Sequence, residues 1–368
     1  MKPLLEVREL FKAYGDLPVL RDVTFGVKAG DSFAVLGPSG CGKTSLLYAI
    51  AGLLKPIAGG VTLDGEPLSG VGTRVALILQ NAGLLPWKTV WQNANLSLLL
   101  AKEYPAKTAT AALEEMGLTE VKDRYPTELS EGMKRRVGIA RALATSPAVM
   151  LMDEPFGAID PINRNILQNE FLRLQQEIKK TVLFVTHDID EAIKIGDKIC
   201  ILNVGGHLEQ FDSPANILAH PANEFVEDFV GADRALKRLN LVRVEEVMDS
   251  RPPLVQATQN VEEAVRFMRE RNLRFVYVVD ADRTLKGYVR VKDMEGKTGW
   301  VDEFVEPAAT AIQMGTNLRD ALSGMLVVDY ANVCVVDAYN RVRGLVNTEM
   351  IHKAVIESES PSGEEGEG

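Results

Sequence analysis

The sequence predicts an α/β domain, followed by a smaller α+β module built from two repeats. Residues 31–54, "DSFAVLGPSGCGKTSLLYAIAGLL", place an apolar strand before a glycine-rich turn and a helical pattern after it. Two further apolar segments, "AVMLMDE" and "TVLFVTH", each end in residues that carry chemistry. The segments "VYVVDADRTLKG" and "VCVVDAYNRVRG" align without gaps and define the repeat.

Composition limits the classes of protein that this chain can represent. Its 368 residues, 46% of them hydrophobic, suffice for two or three domains with packed cores. A net charge of −10 argues against nucleic acid as a partner. The spacing of Cys41, Cys200 and Cys334 indicates neither disulfides nor a metal site. No apolar run approaches the roughly 18 residues of a membrane span, so we expect a soluble chain that can still bind a membrane protein.

The glycine-rich turn predicts a phosphate-binding loop. "GPSGCGKT" fits the pattern G-x-x-x-x-G-K-[ST], in which glycines let backbone N–H groups close around phosphates. Lys43 is expected to reach the β and γ phosphates of ATP, and Thr44 can bind Mg²⁺. The predicted nucleotide-binding residues of this loop are Gly37, Pro38, Ser39, Gly40, Cys41, Gly42, Lys43, Thr44 and Ser45.

Two carboxylates follow the strand predicted over residues 148–152. Asp153 stands at the strand terminus, where it can engage Mg²⁺, usually through water. Its neighbour Glu154 can polarise the attacking water as a general base. A third strand, "TVLFVT", delivers His187 downstream of these acids, where a sensor of the γ-phosphate is needed. These residues therefore predict a site at which water attacks a γ-phosphate.

With Gln80 in "LILQNAGLLPW" and the segment "LSEGMKRRVGIARAL", the ordered motifs resemble those of the ATP-binding-cassette (ABC) ATPases. The resemblance covers about the first 230 residues and implies an ABC-type P-loop NTPase over residues 1–236, with a RecA-like core and antiparallel β and helical subdomains. It implies these roles: Tyr14 stacking on adenine, Lys43 and Thr44 in Walker A, Gln80 in the Q-loop as a Mg²⁺ ligand, Asp153 and Glu154 in Walker B with Glu154 as the catalytic base, Asp160 in the D-loop, and His187 as the catalytic switch histidine.

The signature segment, residues 129–133, departs from the family pattern L-S-G-G-Q at Glu131 and Met133. Ser130 is a good helix N-cap and Gly132 permits close approach of a phosphate, so both expected ATP contacts survive. In the family, these residues face ATP held by the opposite subunit of a head-to-tail homodimer. We expect Glu131 to point away from the nucleotide and leave an active site. The basic run 134–136 is predicted to be a solvated helix face with some positioning role.

A helix-rich insertion over about residues 88–145 corresponds to the helical subdomain. The resemblance implies that this subdomain grips a cytoplasmic helix of a transmembrane permease, and that the Q-loop couples the grip to the γ-phosphate. Two interpretations of Leu85 and Trp87 stay open, a permease contact and a local core.

The repeats of the second half resemble a tandem pair of CBS domains over residues 241–355, with copies at about 241–297 and 300–355. CBS pairs often bind adenine nucleotides or related ligands, with an Asp on the ribose. Asp293 stands at that position in the first copy and Met350 in the second, while Arg290 and Asn347 replace the usual hydroxyl residue. At most one cleft is therefore expected to bind an adenine nucleotide or a cyclic dinucleotide. Dimerisation or structural packing is the alternative.

A cassette followed by CBS domains resembles the ATPase subunits of importers for glycine betaine, proline, carnitine or choline. The resemblance implies a homodimer on the cytoplasmic face of the membrane, attached to permease subunits and served by a substrate-binding protein. The segment 356–368 predicts a disordered acidic tail. Ionic strength, acting on this tail, and a cyclic dinucleotide are the candidate regulatory signals.

Three alternatives remain. The segments "LLPWKTV" and "DEPFGAID" also resemble cassettes that import nitrate, sulfonates or taurine. A second class comprises ABC ATPases that act without a permease, here with a ligand-sensing CBS module. The third is a sensor with a vestigial ATPase, which the intact Lys43, Asp153, Glu154 and His187 weigh against.

Overall fold

The structure is a computed structural model that describes residues 2–100, 108–157, 159–308, 310–328 and 332–357. The described chain forms two compact units, Met1–Gly231 and Ala232–Gly368. Most of the predicted acidic tail and residues 101–107 of the predicted helical subdomain lie outside the described residues. No helix among the described residues is both long and apolar enough to cross a membrane.

The first unit contains one large β-sheet. Its strands are β1 (Leu5–Tyr14), β2 (Leu17–Val27), β3 (Ser32–Leu36), β4 (Ala58–Leu63), β5 (Glu66–Pro67), β6 (Val75–Ile78), β7 (Val149–Asp153), β8 (Thr181–Thr186), β9 (Lys198–Asn203) and β10 (His207–Asp212). Their order is β5-β4-β1-β2-β10-β9-β3-β8-β7-β6. Strands β9, β3, β8, β7 and β6 run parallel, whereas β4, β1 and β2 form an antiparallel edge.

The first unit also contains eight α-helices among its described residues: α1 (Lys43–Ile50), α2 (Val90–Leu100), α3 (Ala109–Glu115), α4 (Glu131–Ala144), α5 (Pro161–Ile178), α6 (Ile189–Ile195), α7 (Pro214–Ala219) and α8 (Glu224–Val230). Short 3₁₀ turns cover Thr119–Val121 and Pro126–Glu128. Helices α2 and α3 pack on α4 and form the helical subdomain. The fold is therefore the predicted α/β core with antiparallel β and helical subdomains, and the core strands are parallel.

The core of this unit lies around β3, whose five side chains are all buried. Near-continuous burial is expected of a central parallel strand, because both faces of its sheet are covered. The ring of Phe33 stacks on that of Phe25 in β2, with centroids 4.8 Å apart. This packing fixes β3 in place, and the phosphate-binding loop begins directly after it.

The second unit contains the two predicted repeats. After α9 (Arg234–Arg238) and α10 (Val244–Val247), the first repeat runs β11 (Leu254–Gln256), α11 (Val261–Glu270), β12 (Phe275–Val279), β13 (Leu285–Arg290) and α12 (Val291–Met294). A 3₁₀ turn at Val301–Phe304 leads to the second, which runs β14 (Ala311–Gln313), α13 (Leu318–Val328), β15 (Asn332–Val336), β16 (Val342–Asn347) and α14 (Thr348–Glu357).

Each repeat has the same three-stranded sheet, in which the first strand is parallel and the last antiparallel to the middle one. The repeats share a core of Tyr277, Val279, Tyr288, Cys334, Val336 and Val342. Their turns also pair, because Leu285 N donates to Asn340 O at 2.9 Å and Val342 N donates to Arg283 O at 2.8 Å. The predicted α+β repeat is confirmed, and its two copies form one packed module.

Candidate functional site

The predicted catalytic residues of the first unit come from neighbouring parallel strands. The phosphate-binding loop follows β3, His187 follows β8, Asp153 ends β7, and Gln80 lies two residues after β6. Strands β3, β8, β7 and β6 are adjacent in the sheet. The carboxyl edge of the sheet therefore collects these residues, as expected of open α/β sheets that bind ligands there.

The phosphate-binding loop backs closely onto the sheet. A Cβ added at Gly42, whose φ is +102°, would lie 2.2 Å from the carbonyl oxygen of Val19 in β2. At Gly37 it would lie 2.3 Å from the carbonyl oxygen of Leu202 in β9. Only glycine fits these positions, and the resulting path leaves backbone N–H groups free to surround phosphates.

Lys43 begins α1 with its side chain folded back on the loop. It is 8% exposed, and its Nζ donates to Gly37 O at 2.7 Å and to Pro38 O at 3.0 Å. The neighbouring Cys41 is buried, and burial raises the pKa of its thiol although the Lys43 ammonium lowers it. A buried thiol of raised pKa is poorly reactive, which favours Cys41 as a small filler of the loop over a redox-sensitive thiol.

Thr44 and Asp153 are suited to a divalent cation. Burial raises the pKa of Asp153, the adjacent Glu154 raises it further, and a hydrogen bond from Thr44 lowers it. A nearby cation stabilises an ionised carboxylate that burial and a like charge have destabilised. Hydroxyl and carboxylate oxygens are also ligands that Mg²⁺ prefers. No group of three or more His, Cys, Asp or Glu side chains among the described residues could bind a metal. The remaining Mg²⁺ ligands would be phosphate oxygens and water.

Glu154 lies between two other predicted site residues. Its Oε2 accepts a hydrogen bond from Gln80 Nε2 at 3.3 Å, and its Oε1 lies 3.3 Å from His187 Nδ1. The Glu154 side chain is 27% exposed and that of His187 is 65% exposed, so water reaches both. Gln80, predicted as a Mg²⁺ ligand, thus contacts the carboxylate next to Asp153 in this structure.

The signature segment, residues 129–133, lies at the start of α4 and is distant in sequence from the phosphate-binding loop. Ser130 is the N-cap, and its hydroxyl accepts from Met133 N at 3.3 Å. Glu131 pairs with Lys134 at 2.6 Å and its side chain is 79% exposed. A Cβ at Gly132 would lie 3.2 Å from Leu167 in α5. The described contacts of these residues lie in α4 and α5, and Ser130 and Glu131 are exposed.

Asp160 and Tyr14 occupy two further edges of the unit. Asp160 is the N-cap of α5, and its carboxylate accepts from the backbone N and the Nδ2 of Asn163 at 3.1 and 2.8 Å. Tyr14 ends β1 with 54% of its surface exposed, and Lys12 Nζ lies 5.6 Å from its ring centroid. An exposed aromatic ring of this kind is available for stacking.

The prediction of a solvated basic face for residues 134–136 is wrong, because all three side chains are partly buried. Arg135 Nη2 donates to Gln80 O at 3.0 Å, and burial lowers the pKa of its guanidinium. Arg136 Nη1 donates to Met116 O at 3.5 Å. Both arginines are partly buried because α4 packs along the Q-loop and α3, a tertiary arrangement that charge pattern alone does not reveal.

Leu85 and Trp87 differ in their surroundings. Leu85 is half-buried, and its backbone N and O are bonded to the side chain of the buried Asn93 at 2.8 and 3.1 Å. Trp87 is 70% exposed. The local-core interpretation therefore fits Leu85, and Trp87 remains available for a partner.

In the second unit, the carboxylate of Asp293 already has a partner. Arg290 Nε donates to Asp293 Oδ2 at 2.5 Å, and Arg290 Nη2 also pairs with Glu306. Tyr288 OH donates to Glu306 at 2.6 Å. The hydrogen bond to Asp293 is the largest cause of a raised pKa of Arg290. A ribose hydroxyl would have to compete with Arg290 for the predicted ligand residue.

Comparisons with known proteins agree with this architecture. Residues 20–157 match the family described as ABC transporter, and residues 244–295 match the CBS domain family. The chain is 37% identical over 369 residues to the glycine betaine/carnitine/choline transport ATP-binding protein OpuCA of Bacillus subtilis strain 168, covering 96% of this chain and 97% of that protein. It is 36% identical over 346 residues to the osmoprotectant import ATP-binding protein OsmV of Salmonella typhimurium, covering 91% and 90%.

Among solved structures, the chain is similar to cbiO1 from Clostridium perfringens, part of the ABC transporter complex cbiONQ. The TM-score is 0.55 at 26% sequence identity, over 66% of this chain and 96% of that chain. The share covered corresponds to the size of the first unit, whereas OpuCA and OsmV match both halves.

Proposed function

Because this chain belongs to the ATP-binding subunits of ABC transporters, we propose that it hydrolyses ATP to power import of a quaternary-ammonium osmolyte of the glycine betaine, proline, carnitine or choline class. The single observation that carries the assignment of ATP hydrolysis is the placement of Glu154 between Gln80 and His187 at the carboxyl edge of the sheet. The phosphate-binding loop and Asp153 lie on the same edge.

ATP binding is assigned to the loop that follows β3. Lys43 exchanges its carbonyl partners, Gly37 and Pro38, for the β and γ phosphates, which offer a negatively charged acceptor in place of neutral ones. Tyr14 stacks on the adenine. Thr44, Asp153 and Gln80 would hold Mg²⁺, which when bound neutralises charge on the β and γ phosphates.

Hydrolysis is assigned to Glu154 and His187. Glu154 accepts the proton of the attacking water as general base, and its exposed carboxylate leaves room for that water. His187, 3.3 Å from Glu154, positions the γ-phosphate and the water relative to the carboxylate. Gln80 orients Glu154 through the hydrogen bond to Oε2.

A homodimer completes the site. Ser130 and Gly132 lie at the exposed start of α4, where backbone N–H groups and the helix dipole favour a phosphate. In a head-to-tail dimer, each signature segment faces ATP bound by the other copy, and Asp160 at the start of α5 lies at the dimer contact. Glu131 is exposed and paired with Lys134, which supports an arrangement in which it avoids the triphosphate.

Permease subunits are the partners of the helical subdomain, as expected of an ATP-binding subunit. Trp87 and Trp91, 70% and 39% exposed, offer apolar surface beside α2 for a permease helix. The chain associates peripherally with the membrane, and we assign it to the cytoplasmic face, where ATP is available. A substrate-binding protein would contact the complex through the permease.

The class of solute is inferred from similarity that extends through the second unit. OpuCA and OsmV, named for osmolyte transport, match nearly the whole chain, including the repeats. These full-length relatives favour the osmolyte class over the alternatives, a cassette for nitrate, sulfonates or taurine and an ABC ATPase without a permease. The module of two repeats regulates the ATPase, with an adenine nucleotide or a cyclic dinucleotide as candidate ligand at Asp293.

Uptake in cells tests the proposal. Source cells that carry Glu154→Gln are compared with the unaltered strain for uptake of labelled glycine betaine, carnitine and choline at high salt. Loss of uptake of at least one of these solutes supports both the base and the solute class. If all three are taken up normally while the purified wild-type chain hydrolyses ATP, the ATPase stands and the solute class is wrong.

A further inference from the structure

One face of α4 contacts the Q-loop, residues 80–83, at three successive positions. The contacting residues are Arg135, Gly138 and Arg141, hereafter the α4 stripe. Their spacing of three residues places them on one side of the helix. The same helix begins with the signature segment at Ser130.

Arg141 and Gly138 fix the far end of the Q-loop. Arg141 Nη1 donates to Gly83 O at 2.8 Å, and Nη2 donates to Ala82 O. Ala82 has φ of +59° and is buried against Gly138, where an added Cβ would lie 3.1 Å from its own Cβ. A non-glycine residue in the left-handed region persists only where its surroundings enforce it, and here α4 does so.

Arg135 fixes the near end, at the residue that contacts the catalytic carboxylate. Its Nη2 donates to the backbone oxygen of Gln80 at 3.0 Å. Its guanidinium carbon lies 6.0 Å from the ring centroid of Phe156, two residues after Glu154. Its Nη1 is buried and has no hydrogen-bond partner among the described residues. The hydrogen bond to the Gln80 carbonyl therefore fixes this guanidinium.

We propose that Arg135 is a positioning residue for ATP hydrolysis, which holds the backbone of Gln80 so that the Gln80 side chain reaches Glu154. One continuous set of contacts then joins α4, which carries the signature segment, to the carboxylate of the same subunit. Displacement of α4 when the signature segment meets ATP moves the Gln80 backbone with it. This inference rests on the proposed role of Glu154 as general base.

An arginine suits this position better than a lysine. Its planar guanidinium donates to a carbonyl with one edge while its face packs on an aromatic ring, which an ammonium group cannot do. A lysine at position 135 can still donate to Gln80 O. Arg135→Lys is therefore expected to retain part of the function, and Arg135→Met none of it.

Steady-state ATP hydrolysis by the purified full-length chain tests the proposal. Arg135→Met is expected to lower kcat about tenfold and change KM less than about twofold, because it disturbs Glu154 rather than the phosphate-binding loop. Arg136→Met is the matched control, since it removes a partly buried guanidinium of the same run that contacts Met116 instead of the Q-loop. The control is expected to keep kcat within about twofold of wild type.

A second background separates positioning from a general loss of structure. In Gln80→Ala, Arg135→Met is expected to lower kcat less than about twofold further, because the two residues act through one contact. A tenfold loss in both backgrounds would overturn the proposal, as would a raised KM with unchanged kcat. If Arg135→Met does not fold, Arg135→Lys replaces it in the same comparison. The proposal is then contradicted if Arg135→Lys leaves kcat unchanged, or if it lowers kcat equally in the wild-type and Gln80→Ala backgrounds.

Hydrogen exchange distinguishes this inference from the proposed base. Without nucleotide, the backbone amides of residues 80–83 are expected to exchange faster in Arg135→Met than in Arg136→Met. Equal exchange rates would contradict the contact itself. If Glu154→Gln retains turnover while exchange and kcat behave as expected for Arg135→Met, the assignment of the base fails, and what stands is that Arg135 holds the Gln80 backbone in a position that hydrolysis requires.

Discussion

The side-chain Nε2 of Gln80 lies 3.3 Å from Oε2 of Glu154, and this hydrogen bond joins the loop that follows β6 to the residue that follows β7. The other carboxylate oxygen of Glu154 lies 3.3 Å from His187 Nδ1, at the end of β8. Glu154 thus receives one contact from each neighbouring strand of the sheet. These two contacts orient the carboxylate.

Glu154→Gln is expected to lower kcat of ATP hydrolysis at least about 100-fold, since a general base contributes about 10²- to 10⁴-fold and an amide cannot accept the proton. Nucleotide binding should persist, because Lys43 and Thr44 are unchanged. Turnover and equilibrium binding of a fluorescent ATP analogue measure the two effects. Glu170→Gln, on α5 and outside the site, is the control for loss of a carboxylate. Residual turnover above a tenth of wild type would contradict the assignment.

The sequence predicted those parts of this site that depend on short segments. The phosphate-binding loop, Asp153, Glu154 and His187 each follow a buried strand directly, and parallel strands bring their carboxyl ends to one edge. The repeats were likewise predictable, because helix and strand periodicities recur in both copies. In each case the information is local, and the general rules of sheet assembly supply the rest.

Long-range packing decided the features that the sequence did not reveal. Arg135 lies in a basic run typical of a solvated helix, and only the packing of α4 along residues 80–83 buries it. Asp293 matched a ribose-binding position, yet Arg290 pairs with it at 2.5 Å. The only sequence signal for the α4 stripe was the spacing of Arg135, Gly138 and Arg141 on one face of the helix. This spacing does not reveal which segment the face contacts.

Glu131→Gly is expected to change kcat less than about threefold. The Glu131 side chain is 79% exposed and pairs with Lys134, and exposed pairs of this kind contribute about 0.2–1 kcal/mol. Restoring the family glycine therefore removes a solvated group. The ATPase rate as a function of ATP concentration provides the measurement, and Glu128→Gly, just before the signature, provides the comparison. An increase by orders of magnitude would mean that Glu131 opposes the triphosphate.

Asp337→Asn is expected to lower the stability of the second unit at neutral pH, and this difference from wild type should shrink in acid. Burial alone would raise the pKa of Asp337, but hydrogen bonds from the backbone N and the side chain of Arg341, from the side chain of Arg343 and from Tyr339 N hold the pKa well below 3.8. A carboxylate with a depressed pKa in the folded state stabilises the fold at any pH above its unfolded pKa of about 3.9.

That stabilisation is lost as the pH falls below about 4 towards the lower pKa of the folded state. Thermal unfolding of wild type and Asp337→Asn at pH 7, 5, 4 and 3 measures the change, and Asp302→Asn serves as a control on the same unit. A stability difference that stays constant from pH 7 to pH 3 would show that the charge of Asp337 does not contribute.

Gly42→Ala is expected to destabilise the first unit by about 2 kcal/mol or more. The new Cβ would lie 2.2 Å from the carbonyl oxygen of Val19, and the φ of +102° disfavours any L side chain, so either the loop or β2 must shift.

Gly40→Ala is the matched control in the same loop, since its φ is +82° but no atom lies within 4 Å of an added Cβ. Differential scanning calorimetry without nucleotide is the measurement, because binding then contributes nothing to either variant. If the melting temperature of Gly42→Ala is well below that of Gly40→Ala, the close approach of β2 is what requires glycine at position 42. Equal melting temperatures would mean that backbone conformation alone, and not contact with Val19, dictates glycine at both positions.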